Sequence, residues 1–136
     1  MSKNIIQKIV VAAVILYKNR ILLLQRSLDE DIFPGLWELP SGKRENLESS
    51  IQALKREVRE EAGLNIEVIA PINIFEYIIE KNNIIKDTTQ INFLVKVKGQ
   101  CKVKISKEHQ NFAWVLKKDF LKYKISREIK KTILKI

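Results

Sequence analysis

A chain of 136 residues that is 46% hydrophobic and 30% charged can bury one core but is too short for two comfortable domains, and this mixture excludes disordered, collagen-like and low-complexity architectures. The single cysteine, Cys101, excludes an internal disulfide and cysteine-based zinc spacings, and fits a reducing, cytoplasmic compartment. Net charge is +9, with acid gathered between residues 36 and 64 and base downstream; because 19 of the 25 cations are lysine, a solvated surface is favoured over dedicated phosphate forks.

In chain order, Lys3 and Lys8 precede an apolar run, Ile9 to Tyr17, that could imitate a signal peptide. The run ends in "YKNR" with no small-residue cleavage site and resumes as "ILLLQ", so "KIVVAAVILY" and "RILLLQR" read as a hairpin around Lys18-Asn19. No stretch is long enough to span a bilayer. The loop "SLDEDIFPG", with turn-forming Pro34 and Gly35, leads to the short segments "LWELP" and "SGK". A helix follows, opened by Ser49 as cap with Gln52 three residues later. Beyond Gly63, "NIEVIAPINIFEYIIE" and "IIKDTTQINFLVKVKG" are β-rich runs joined at Lys81-Asn82-Asn83, and "QNFAWVL" is a further strand. The tail from Lys118 has roughly helical spacing. Strands, one central helix, more strands and a final helix predict an α/β or α+β sandwich.

The central helix carries a local conflict. Its end, "REVREEAGL", puts Glu57, Glu60 and Glu61 where the helix dipole is already negative, and at spacings that make them repel one another. At about 100° per residue, Ile51, Leu54, Val58 and Ala62 form an apolar stripe roughly 60° to 140° from Glu57, while the three acids form a separate face beside it. Gln52, Lys55 and Arg59 fill the solvent side. Two readings fit: a hard-oxygen cage for Mg²⁺ or Mn²⁺, which would turn repulsion into attraction, or a solvated helix end stitched by Arg56 to Glu60.

The surrounding pattern favours the cage. "GKRENLESSIQALKREVREEAGL" supplies Gly42, five residues, Glu48, seven residues, Arg56, Glu57, hydrophobic Val58, any residue, Glu60, Glu61, any residue, Gly63 and hydrophobic Leu64. This resembles the Nudix box, with every defining position filled. "GLWELPSGK" is similar to the approach strand of MutT-like members, with Ser41 where many have a second glycine, and "KEHQNFAWVL" resembles the segment where the family often places another acid.

The resemblance implies one Nudix domain over residues 1-136, an α/β/α sandwich with a central mixed β-sheet, that hydrolyses a pyrophosphate linkage with Mg²⁺ or Mn²⁺. The charges of a pyrophosphate resist attack by water, so a metal must neutralise oxygens and acidify the nucleophilic water. The implied metal ligands are Glu57, Glu60, Glu61 and the Gly42 carbonyl, with Gly42 also permitting a tight turn. The implied catalytic set is Glu57, Glu60, Arg56 and Glu108. Within it Arg56 orients a glutamate, and either Glu57 or Glu108 is the base. Glu108 reads equally as a surface loop acid, Glu48 as a structural or outer-sphere residue, and His109 as a surface histidine with a base or phosphate contact as the alternative. Arg26 matches a phosphate-contacting position, or is an exposed strand end. Trp37 is the candidate substrate-binding residue, and it and Trp114 could stack a base, although aromatic residues inside β-rich runs more often belong to the core; Phe33 and Phe75 stay open.

The expected substrate is a small-molecule nucleotide. With no N-terminal extension of the kind used by dimeric ADP-ribose pyrophosphatases, the resemblance leans towards nucleoside triphosphates, oxidised guanine forms included. ADP-ribose, diadenosine polyphosphates and RNA 5′ ends are the alternatives, as is a Nudix module that binds nucleotide or RNA without turnover. Nucleic acid is the less favoured partner, no membrane is expected, and both monomer and homodimer stay open.

Overall fold

The computed structural model describes residues 3–136. Seven strands form one mixed sheet: β1 (Asn4–Tyr17), β2 (Arg20–Arg26), β3 (Trp37–Glu38), β4 (Ser41–Lys43), β5 (Ile66–Lys81), β6 (Ile84–Val97) and β7 (His109–Leu116). Helix α1 (Ser50–Ala62) lies between β4 and β5, and a 3-10 helix (Lys117–Lys122) and α2 (Arg127–Leu134) close the chain. The two long hairpins turn through residue pairs in the left-handed region, Lys18-Asn19 (φ 50° and 65°) and Asn82-Asn83 (φ 52° and 62°), the geometry that matches strand twist. Lys81, read as part of the second turn, is the last residue of β5. Pro71 sits within β5 where the register with β6 shifts, a bulge that spares it a ladder bond.

The path β3-β2-β1-β6-β5 runs through a parallel β1–β6 pair, with every other pairing antiparallel. The first hairpin splays: β1 pairs β2 only at Leu16 and Tyr17, then pairs β4 through Val10, Val11 and Ala12. β3 meanwhile pairs β2 at Leu24 and Gln25. The chain from Trp37 to Lys43 therefore crosses from one arm of the opened hairpin to the other, and this carries Gly42 into the middle of the molecule.

β1 is buried on both faces. Val11, Ala13 and Ile15 pack against Leu54, Val58 and Ala62 of α1, while Ala12 and Val14 join Phe120, Ile129 and Ile133 beneath the 3-10 helix and α2. Helices on opposite faces of a mixed sheet make the expected α/β sandwich. Each buried Leu or Val contributes roughly 1.5–3 kcal/mol by removal from water.

The apolar stripe of α1 is centred differently from the expectation. Ile51 is 46% exposed, whereas Ala53 and Glu61 are buried. Ile51 lies in the first turn, at the rim of the sheet, so the buried arc swings towards Ala53 and takes Glu61 with it. The acids are part of the face that meets the sheet. The tail also differs: it is two short helices, with Ser126 capping α2 by accepting from the Ile129 N–H.

Candidate active site

Helix α1 is held at both ends. Ser49 and Gln52 form the reciprocal capping box, and Gly63 closes the helix at φ 68°, a conformation that favours glycine. Fixed in this way, α1 lays Glu57 directly on β4: a Cβ built at Gly42 would fall 2.0 Å from Glu57 Cδ. Gly42 lies in a strand and is not among the glycines of positive φ. The sequence expectation that it eases a tight turn is therefore corrected, because its missing side chain is needed for space.

Arg56 ties the acids together. Its Nε and Nη2 donate to the two Glu48 oxygens at 2.8 and 2.9 Å, Nη2 also donates to the Lys43 carbonyl at 3.0 Å, and Nη1 donates to Glu57 at 2.8 Å and Glu60 at 3.4 Å. The Arg56 fork, then the Glu45 N–H, holds the Glu48 carboxyl down at about 2, and the bond to Glu48 raises the proton affinity of Arg56 in turn. Glu48 is thus the anchor that aims Arg56. Glu60 is the exposed member of the group.

Glu61 is 6% exposed and accepts from the Ser41 N–H at 2.8 Å. Burial pushes its carboxyl up to about 9; the Ser41 N–H opposes the shift, and Glu38 and Glu108 add to it. Glu57 is also raised, chiefly by burial, against the pull of Arg56. Ligand atoms of Glu61, Glu108 and His109 lie within 4.8 Å of one another.

His109 is a correction to the surface reading. Its side chain is wholly buried, its Nε2 lies 2.8 Å from Glu38 Oε2, and its Nδ1 has no partner. A carboxylate only accepts, so Nε2 carries a proton. The expectation began this strand at Gln110. In the fold it begins one residue earlier, with His109 pairing Arg26 across a register shift that skips Gln110, and the bulge turns His109 inward.

Arg26 lines the same cavity as Glu61 and Glu108 and is held there by protein bonds: Nε donates to the Ile32 carbonyl at 2.9 Å, and the guanidinium meets Glu38 at 3.3 Å and Glu30 at 3.5 Å. Trp37 packs edge-on against Tyr123, ring centroids 5.0 Å apart, in the core beneath α2. Trp114 packs on the other core beside Tyr17. Both tryptophans are partly buried and pack against the cores, and neither is among the residues that line the cavity.

That cavity, about 460 Å³, runs from the carboxylates across the α2 face of the sheet. Gly42, Glu61 and Glu108 line one end, Lys8 and Lys43 the rim, and Phe75, Tyr77 and Gln90 the other end. Lys8, half-buried beside Lys86 and Lys43, has its proton affinity lowered first by burial and then by those two cations. The sequence reading missed this basic group. Register was the lost signal, since Lys8, Lys43 and Lys86 share a face only once β1 pairs β4 and β6.

Oxygen donors dominate this end: Glu61 and Glu108 line it with His109 close by, Glu57 rests against Gly42, and the exposed Glu60 reaches Arg56 beside Glu57. The carboxyls of Glu57 and Glu61, whose proton affinity is raised by burial, suit a divalent cation, which would offset their desolvation.

The NUDIX domain profile matches residues 7–135. A nucleoside triphosphatase, NudI, of Escherichia coli O139:H28 is 32% identical over 133 residues, covering 93% of this chain and 94% of the relative. Among solved structures, a MutT protein from Methanosarcina mazei Go1 superposes with a TM-score of 0.79 at 28% identity, covering 98% and 94% of the two chains. A MutT NUDIX hydrolase from Burkholderia pseudomallei has the same fold, with a TM-score of 0.81 at 23% identity and coverage of 96% and 98%. The chain belongs to the Nudix family. It is an enzyme, a pyrophosphohydrolase, as the box had implied. Among the described residues no helix is long and apolar enough to cross a membrane.

Proposed function

We propose that this enzyme, acting as a single domain, hydrolyses nucleoside triphosphates with Mg²⁺ or Mn²⁺. The observation that carries the reading is the cavity itself. One continuous space joins a carboxylate end, a lysine rim and an aromatic, polar end, which is the order of metal, phosphates and nucleoside in such a substrate. The similarity to a protein named nucleoside triphosphatase supports it. An oxidised guanine nucleotide falls within the same class.

In this reading Glu57, Glu60, Glu61, Glu108 and the Gly42 carbonyl hold the cation, which when bound neutralises phosphate oxygens and acidifies water. Arg56, locked by Glu48, fixes where Glu57 and Glu60 point. Lys8 and Lys43 neutralise the phosphate chain. Glu57, kept half-buried and basic, takes the proton from the attacking water, with Glu108 as the alternative base. Water oxygen bonds to one phosphorus, the bond from that phosphorus to the bridging oxygen breaks, and the departing phosphate takes up a proton.

The test is a nucleotide panel with Mg²⁺ or Mn²⁺ and product identification, with ADP-ribose, diadenosine polyphosphate and 5′-triphosphate RNA alongside. Triphosphates turned over at the highest kcat/KM support the reading. A higher value for any of the others overturns the substrate class.

A further inference from the structure

Three alternate positions of β6 carry polar side chains where a core strand ordinarily carries apolar ones: Thr88 and Asn92 are wholly buried, and Gln90 is 8% exposed. Beside them in register stand Lys8, Val10 and Ala12 on β1, and Tyr77, Phe75 and Asn73 on β5. A buried polar row is no better for stability than an apolar one of the same shape, so its persistence calls for a use.

The hydrogen bonds along the row have a single consistent direction. The one hydroxyl proton of Thr132 has two acceptors in reach, the Glu128 carbonyl at 2.9 Å and Asn73 Oδ1 at 3.2 Å, and the shorter contact is to the carbonyl. Thr132 Oγ1 therefore accepts, from Asn73 Nδ2 at 3.1 Å and Asn92 Nδ2 at 3.4 Å. Asn92 Nδ2 also donates to Asn73 Oδ1 at 2.9 Å, which leaves Asn92 Oδ1 to accept from Gln90 Nε2, again at 2.9 Å. Gln90 Oε1 then faces the Tyr77 hydroxyl at 3.0 Å, and Tyr77 must donate. Thr132, bonded to a backbone carbonyl of α2, is thereby linked through Asn92 to an amide that lines the cavity. At the cavity Gln90 keeps one N–H without a protein acceptor, and Tyr77 offers only its oxygen lone pair.

We propose that Gln90 and Tyr77 read the nucleobase, and that the relay through Asn92, Asn73 and Thr132 fixes their polarity so that keto bases are told from amino bases. The proposal rests on the triphosphate reading above and names its specificity residues. A donor beside an acceptor, held in one sense, matches a base edge that presents an acceptor and a donor in the complementary sense. Guanine at O6 and N1–H, and uracil at O4 and N3–H, present that pair in one sense, and adenine at N6–H and N1, and cytosine at N4–H and N3, in the other. Phe75, packed 5.9 Å from the Tyr77 ring, supplies a wall for the base plane. Gln90 and Tyr77 are specificity residues; Asn92, Asn73 and Thr132 are positioning residues.

The experiment compares kcat and KM for GTP, UTP, ATP and CTP in the wild type, Gln90→Glu, Gln90→Leu and Thr132→Val, together with affinities for the four nucleoside monophosphates in chelator. The wild type is expected to separate the keto pair from the amino pair by about tenfold in kcat/KM, carried by KM. Gln90→Glu, which replaces the donor by an acceptor, reverses or erases the split, Gln90→Leu erases it, and Thr132→Val narrows it. Should Thr132→Val fail to fold, the two Gln90 variants carry the test. Equal use of all four bases, a preference ordered purine against pyrimidine, or a keto–amino split that survives Gln90→Glu overturns the proposal. If none of the triphosphates is hydrolysed while monophosphate affinity still splits through Gln90, the proposed activity falls and the base reading stands.

Discussion

The Glu57 carboxylate rests on the bare Cα of Gly42, with no room for a single added carbon. A Gly42→Ala enzyme must displace the Glu57 carboxylate, the end of a flexible side chain, by more than an ångström. We expect a loss of about 100-fold in turnover, since misplacements of that size in a catalytic array have that effect. Steady-state kinetics beside a thermal melt check it, and near-normal turnover would contradict the contact.

Arg56 grips Glu48 through a two-pronged contact that lysine cannot reproduce. Arg56→Lys keeps the charge and loses the aim. Activity or metal affinity should drop roughly 10- to 100-fold, as for other residues that orient ligands. Calorimetric titration with Mn²⁺ separates the two.

The buried Glu61 makes the metal-free protein sensitive to alkali. Its carboxyl is raised from 4.5 to about 9, so between those values the folded protein keeps a proton that the unfolded chain releases. That contribution is fully present below pH 4.5 and is lost as pH rises towards about 9, at up to about 1.4 kcal/mol per pH unit. Glu57 shifts in the same direction. Urea melts in chelator at pH 6 and pH 8 should show wild type losing stability over this interval, and Glu61→Gln losing measurably less. The same variant should lose most turnover.

Lys8 lines the cavity with Lys43 and Lys86 near it and forms no ion pair among the described residues. Lys8→Ala should raise KM for triphosphates several-fold with a smaller effect on kcat, and should flatten the dependence of KM on salt. An unchanged KM at low ionic strength would remove Lys8 from the phosphate path.

Leu54 is fully buried between α1 and β1. Leu54→Ala should cost about 2–5 kcal/mol in a denaturant melt. Ile51→Ala, at the exposed end of the stripe, should cost far less.

The legible parts of this molecule were the local ones. Ser49, Gln52 and Gly63 announce the ends of α1, and the spacing from Gly42 to Leu64 announces its chemistry, because capping and helical periodicity operate within a few residues. What could not be read depended on pairings between distant segments. His109 moved inward through a bulge set by β2. Lys8, Lys43 and Lys86 converged through three strands, and Gln90 met Tyr77 across a hairpin, Asn92 and Thr132 across the sheet and α2. The two tryptophans were ambiguous for the opposite reason: an aromatic in an apolar run looks the same whether it faces a cavity or a core.

The parallel pairing of β1 with β6 matches each residue with one eighty positions later, from Asn4 with Ile84 to Leu16 with Lys96. On the ribosome, at about 5–20 residues per second, the most apolar strand of the molecule waits roughly 4–16 s for its neighbour. A chain so ordered exposes its stickiest segment first and covers it late, which makes newborn copies natural clients for chaperones that shield extended hydrophobic stretches.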